Sequence, residues 1–220
     1  MKPIGLFSGL GLKMRQRTLR KGAETKASIV REAAELFNTQ GYAGTSLSDV
    51  LEATGLEKGG LYNHFRGGKV ELAEAALNYS LAVVRERRRA ALATPGPAHL
   101  RLLAMIDGML AERDATRLKG GCPIQNVAVE ADDGDPALAP LLRRARKAMH
   151  DWQDSIADVV ESGVARGELR TDSDPQGVAN FLTASLEGAL MISKLYRDRA
   201  HMALVAGSLR TYVLGLRRNA

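Results

Sequence analysis

The chain has 220 residues, enough to bury a core without disulfide or metal staples. One cysteine excludes an intramolecular disulfide framework, and 45% hydrophobic with 25% charged residues is ordinary for a globular protein. No apolar run reaches the roughly 18 residues a membrane helix needs, so no membrane partner is expected. The formal net charge is +6, and most of it is early: residues 1–69 hold 11 Lys and Arg against 6 Asp and Glu. A localised basic excess suggests a polyanion such as nucleic acid, with a merely solvated basic surface as the bland alternative.

In chain order, residues 1–23 read as a mobile basic tail. Gly5, Gly9 and Gly11 are too many for a stable helix there, and Met14 is an alternative start. The tail is either a basic arm on DNA or passive. From Glu24 the pattern is helix after helix. Ile29, Val30, Ala33, Ala34 and Phe37 recur at helical spacing until Gly41. Ser46 opens a short helix, with Asp49 completing a weakened capping box, and Gly55 closes it. A third short helix covers Lys58 to Phe65, with Leu61 and Phe65 inward.

A long helix is expected from about Lys69 to Ala93, ending before Pro95-Gly96-Pro97. The next runs from Ala98 to Leu118, and a short one covers Ile124 to Ala131. After the 132–136 turn, Pro136 begins another helix. In it Leu138, Leu142, Ala145, Met149, Trp152, Ile156 and Val159 alternate steps of four and three, up to Gly167. Asp174 caps and Pro175 starts a helix to about Asp198, and the last spans Ala200 to Leu216. No segment alternates at period two, so the fold class expected is all-α.

The most specific signal lies at residues 46–65. Two short helices joined by a tight glycine turn form a helix-turn-helix, whose second helix enters a DNA major groove. That helix turns Lys58, Tyr62, Asn63 and His64 outward. Gly59 and Gly60 cost roughly 1 kcal/mol each relative to Ala. They either let the backbone approach DNA closely or leave a loosely wound first turn.

At these residues the chain resembles the TetR family of transcriptional regulators. The marks are Ile29-Val30-x-x-Ala33-Ala34-x-Leu36-Phe37, Gly41-Tyr42-x-x-Thr45-Ser46 and Leu61-Tyr62-x-His64-Phe65. The resemblance implies an N-terminal three-helix DNA-binding domain over 24–69 and a C-terminal helical effector-binding and dimerisation domain over 70–220. It implies that Thr45 and Ser46 cap the second helix and meet phosphate. Lys58 contacts DNA, Gly59, Gly60 and Asn63 face bases, and Tyr62 and His64 meet phosphates. Glu57 departs from the family's usual Ser cap. Phe65-Arg66-Gly67-Gly68-Lys69 and Gly121-Cys122-Pro123 resemble one subset of the family, in which Lys69 takes the phosphate-facing role.

For the C-terminal part, Met105, Met109, Cys122, Met149, Trp152, Phe181 and Met191 are candidates to line a cavity for a small apolar or electrophilic effector, with ordinary core as the alternative for each. Cys122, if at a helix N-terminus, is either a sensor thiol or a small buried residue. Arg85, Arg87, Arg88 and Arg89 read as a solvated face. Helices over 175–217 are expected to pair with a second copy, with Ala184, Ser185, Gly188 and Ala189 allowing close approach. The expected function is a cytoplasmic homodimeric repressor on a palindromic double-stranded DNA operator. An activator or an effector-independent regulator is the alternative. No cofactor or metal is expected. No Glu-x-x-His or nucleophile motif points to an enzyme.

Overall fold

The structure is a computed structural model that describes residues 8–115, 119–131, 135–136 and 138–218. The expectations for residues 1–7, for a helix end at Leu118 and for the turn at 132–134 lie outside these residues. The described elements are helices, apart from one isolated antiparallel bridge between Leu169 and Arg217. They are α1 (Ser8–Gly44), α2 (Leu47–Thr54), α3 (Lys58–Tyr62), α4 (Gly68–Leu92) and α5 (Ala98–Ala115), then α6 (Pro123–Glu130), α7 (Ala139–Ala165), α8 (Pro175–Tyr196) and α9 (Ala200–Gly215).

The N-terminus corrects the sequence reading. Residues 8–23, expected as a tail without stable helix, continue α1 in the N-terminal direction. Gly9 and Gly11 each disfavour this by about 1 kcal/mol, but Leu10, Leu12, Met14, Arg15, Gln16 and Arg17 are good helix formers. Extending an existing helix also needs no new nucleus. At the other end Gly41 leaves helical geometry (φ 81°, ψ 170°), where only glycine is at ease.

Two cores are joined by α4. Ile29, Ala33 and Ala34 of α1, Val50 of α2, Leu61 and Phe65 pack with Leu72 and Ala76 from the first turns of α4. The later part of α4, with Leu92, joins a larger core built from α5, α7, α8 and α9 around Leu102, Ile106, Ile156, Leu182 and Leu209. The stepping residues of α7 fulfil their inward reading at Ala145, Trp152, Ile156 and Val159. That helix begins later than expected, at Ala139, and the proline in its first turn is Pro140 rather than Pro136. Asp174 caps α8 by accepting from the backbone N–H of Gln176 and Gly177, ahead of Pro175.

Helix α6 locks the two cores together. Asn126 Nδ2 donates to the backbone carbonyl and side-chain oxygen of Asn38, both at 2.9 Å. Asn38 in turn donates to the carbonyls of Lys119 and Gly121. The Glu130 carboxylate accepts the Tyr42 N–H at 2.8 Å, just past the Gly41 break. Gly120 explains its own presence here: a Cβ on it would lie 2.0 Å from the Asn38 carbonyl oxygen.

Candidate nucleic-acid interface and regulatory cavity

The first helix of the helix-turn-helix has both ends capped. The Ser46 side chain accepts the Asp49 N–H at 3.2 Å, and the Asp49 carboxylate accepts the Ser46 N–H at 2.7 Å. Asp for Glu therefore still closes a full capping box. The Ser46 N–H also holds the Asp49 carboxyl below the usual carboxylate range. Gly55 ends α2 in the left-handed region (φ 65°), and its N–H reaches back to the last turn.

Helix α3 is shorter than expected. It ends at Tyr62, and a turn carries the chain to the buried Phe65. Glu57 stands at its N-cap without a side-chain bond. Lys58, Gly59, Tyr62 and Asn63 are exposed and His64 is half-buried, while Leu61 and Phe65 are sealed in the core. The two glycines can now be read. The turn is regularly wound, with Gly60 N–H on Glu57 at 2.9 Å and Asn63 N–H on Gly59 at 3.1 Å. A Cβ on Gly59 would meet nothing within 4 Å, and one on Gly60 only Leu56 at 3.8 Å. Neither packing nor backbone angle inside the protein asks for glycine there.

Other predicted contacts shift. Thr45 is fully buried and its hydroxyl donates to the Gly41 carbonyl at 2.8 Å, so its side chain cannot meet a phosphate. Its role is to tie the Gly41 break to the start of α2. Lys69 lies in the first turn of α4 with its ammonium 4.3 Å from the centre of the Tyr42 ring. Lys26 similarly covers Phe65. Gly68 takes φ 67°, which accounts for the second glycine before Lys69.

A cavity of about 420 Å³ opens between α4 and α7, with Ile124 of α6 in its wall. Of the seven expected lining residues only Trp152 borders it. Met105 and Met109 are packed in the closed C-terminal core, and Met149 lies half-buried against it. Phe181 and Met191 are corrections of a different kind: they are 46% and 53% exposed on the outer face of α8. Apolar periodicity marks what a helix buries, and a cavity lined partly by polar groups escapes that signal.

The basic run is the largest surprise. Arg88, expected in a solvated face, is buried. Its guanidinium carbon stacks 3.4 Å from the centre of the Trp152 ring, and its Nη2 donates to Glu187 Oε1 at 3.4 Å. It also approaches Cys122 Sγ at 3.8 Å. Cys122 is indeed the N-cap residue of α6, but it is buried. Burial, followed by the charge of Glu187, pushes its thiol up to about 12, against a smaller opposing effect of Arg88. A protonated, enclosed thiol is a poor nucleophile, so the sensor reading and the electrophilic effector lose their support. Burial also raises the Glu187 carboxyl above the ordinary glutamate value.

A capped, surface-directed helix-turn-helix on a helical body with a separate cavity defines a helix-turn-helix transcriptional regulator. Sequence profiles sharpen this. Residues 29–76 match "Bacterial regulatory proteins, tetR family", and residues 98–209 match "Tetracyclin repressor-like, C-terminal domain". The chain belongs to the TetR family and is a DNA-binding transcriptional regulator rather than an enzyme. An uncharacterised HTH-type transcriptional regulator of Mycobacterium tuberculosis is 31% identical over 190 residues, 84% of this chain and 92% of that protein. A TetR regulator from Chloroflexus aurantiacus J-10-FL is 39% identical with a TM-score of 0.84, covering 91% of this chain and all of that one. A cysteine mutant of the TetR family regulator CifR, complexed with 26-bp operator DNA, shares the fold at 24% identity and a TM-score of 0.72. That match covers 83% of this chain and 93% of that one.

Proposed function

We propose that this chain is a homodimeric repressor that binds a palindromic operator and is released by a small molecule held between α4 and α7. The observation that carries this is the outward face of α3. Lys58, Tyr62 and Asn63 stand free at the surface beside glycines that the protein's own packing does not require. That combination suits a backbone laid close against a groove, with Asn63 able to read adenine and Ser46, Tyr62, His64 and Lys69 near phosphates. The working division remains a reading head over 24–69, floored by the start of α4, and a regulatory body from 70 onward. The Phe65-Arg66-Gly67-Gly68-Lys69 and Gly121-Cys122-Pro123 marks carry the proposed membership of the subset that has both, and Gly68 and Gly121 each take a positive φ that favours glycine (67° and 95°).

Dimerisation is supported by an uncovered stripe. On α8, Phe181, Ala184, Met191 and Leu195 are exposed at helical spacing, with Ser185 and Gly188 half-exposed among them. On α9, Leu204, Gly207, Ser208 and Leu214 are exposed likewise. Ala189, expected on this face, instead belongs to the core. A two-fold axis through the stripe would make a four-helix interface and set two reading heads about 34–36 Å apart on successive turns of DNA. The α6 bonds to Asn38 and Tyr42 supply a physical route from cavity to head. A ligand acts through it only if it prefers the spacing that does not fit the operator.

DNA selected from a random pool at stated salt tests the reading. Lys58→Ala and Tyr62→Ala should each weaken binding to the selected site while the dimer persists in sedimentation. Loss of a Lys58 phosphate contact should also lower the salt slope by about 1. If both variants bind like the parent, α3 is not the reading helix.

A further inference from the structure

Resting on that regulatory reading, we infer that the α4–α7 cavity takes an amphipathic oxyanion: an apolar body with a carboxylate or phosphate monoester head. Three observations converge. The first is charge. Arg85, Arg88, Arg89, Arg144 and Lys147 line the cavity, against Asp151 as its one acidic lining residue. Arg144 pairs with Glu74, Lys147 with Asp151 and Arg88 with Glu187. Among the described residues no ion pair engages Arg85 or Arg89, which stand one turn apart on α4.

The second is hydrogen bonding. Arg88 Nε, Arg144 Nε and Trp152 Nε1 are buried without any partner, and all three residues line this one cavity. Arginine and tryptophan side chains carry only donors. Buried donors are rarely left unmatched, and an occupant carrying acceptors would match these; Glu187 Oε2, the unmatched acceptor paired to Arg88, is not among the cavity-lining groups. Two surplus positive charges favour acceptors that are negative. The third is shape. Leu81, Val84, Leu92, Ile124 and Ala148 give the cavity apolar walls, and α4 contributes from Asn78 to Leu92, about 21 Å of helix at 1.5 Å per residue. The volume suits a small organic molecule rather than a bare ion. The apolar effector expected from composition is thereby given a charged head.

The test uses the full-length protein and its sole tryptophan, Trp152, as the reporter. Octanoate, octyl phosphate, 1-octanol and octylamine share one tail and differ in head. At least one of the two anions should shift Trp152 fluorescence with an affinity tenfold or more above that of octanol, and octylamine should not bind. Whichever anion is tighter identifies the head. Arg85→Gln with Arg89→Gln should bring anion affinity down to the octanol level, and the paired lysine substitutions should restore most of it. Equal binding of anions and alcohol, no anion binding up to millimolar concentration, or indifference to the glutamine pair overturns the inference. A parallel operator gel shift separates the two claims: an anion that binds the cavity but leaves the operator complex intact refutes the regulatory reading and leaves the site standing.

Discussion

Two polar groups of this molecule stand in opposite surroundings. On α3 and the turn after it, Lys58, Tyr62 and Asn63 face solvent, and the segment is fastened beneath them by Leu61 and Phe65. Between α4, α6 and α8, Arg88, Glu187 and Cys122 are enclosed and face one another. The exposed set keeps its bonding capacity for a partner. The enclosed set turns Arg88 Nη2 and Glu187 Oε1 on each other inside the fold and leaves Arg88 Nε and Glu187 Oε2 unmatched, so altering it has large energetic consequences.

The largest expected effect on a rate is chemical. With the thiol raised to about 12, the thiolate fraction of Cys122 at pH 8 is about a thousandfold below that of an ordinary cysteine. The more basic thiolate is also the better nucleophile, so alkylation by iodoacetamide should be roughly a hundredfold slower in the native protein than in urea. A native rate within tenfold of the unfolded one would restore the sensor thiol. The largest expected effect on stability is that of Arg88→Met, which leaves the Glu187 charge buried and unpaired. A cost of about 3–5 kcal/mol is expected in denaturant titration at pH 8.

The size of that loss should depend on pH. The folded Glu187 carboxyl holds its proton at pH values where the unfolded one has released it. Its contribution to stability is full below the ordinary glutamate pKa and is lost as pH rises through the folded value. The deficit of Arg88→Met should thus shrink as pH falls, because a protonated Glu187 needs no counter-ion. A deficit that is constant from pH 5 to 8 would mean that the ion pair contributes little and that stacking on Trp152 dominates.

These two sites also differ in how much of them could be read beforehand. The helix-turn-helix is local: caps, glycines and apolar spacing all fall within twenty residues, so Ser46, Asp49, Gly55, Leu61 and Phe65 could be placed from the sequence. The helical order was legible for the same reason, since Pro97, Pro175 and the glycines punctuate it. The enclosed set joins residues 34 and 99 positions apart. Nothing near Arg88 distinguishes it from Arg87 or Arg89 except helical phase, which sets it on the same face as Val84 and Leu92. That phase competes with the reading of Arg85, Arg87, Arg88 and Arg89 as a solvated face on a helix leading away from the DNA-binding domain. The Asn38–Asn126 joint has no local mark at all. The N-terminal extension of α1 is hidden by Gly9 and Gly11, whose local penalty is offset by propagation from the helix that follows.

Smaller effects sharpen the comparison on the exposed side. Ser46→Ala removes the acceptor for the Asp49 N–H and should cost about 1 kcal/mol. Hydrogen exchange should report it as faster opening of α2 with little change in α8. If α8 exchanges equally faster, the cap is coupled to the whole fold rather than to the head.

Gly59→Ala divides stability from function at one atom. A methyl group there has open space around it, so the free protein should gain up to about 1 kcal/mol from improved helix propensity. The same methyl group would stand between the α3 backbone and a groove, so affinity for the selected operator should fall even as the melting temperature rises. A variant that is both more stable and equally tight on DNA would show that the glycine has no part in close approach. It would shift the burden of recognition onto Lys58, Tyr62 and Asn63 alone.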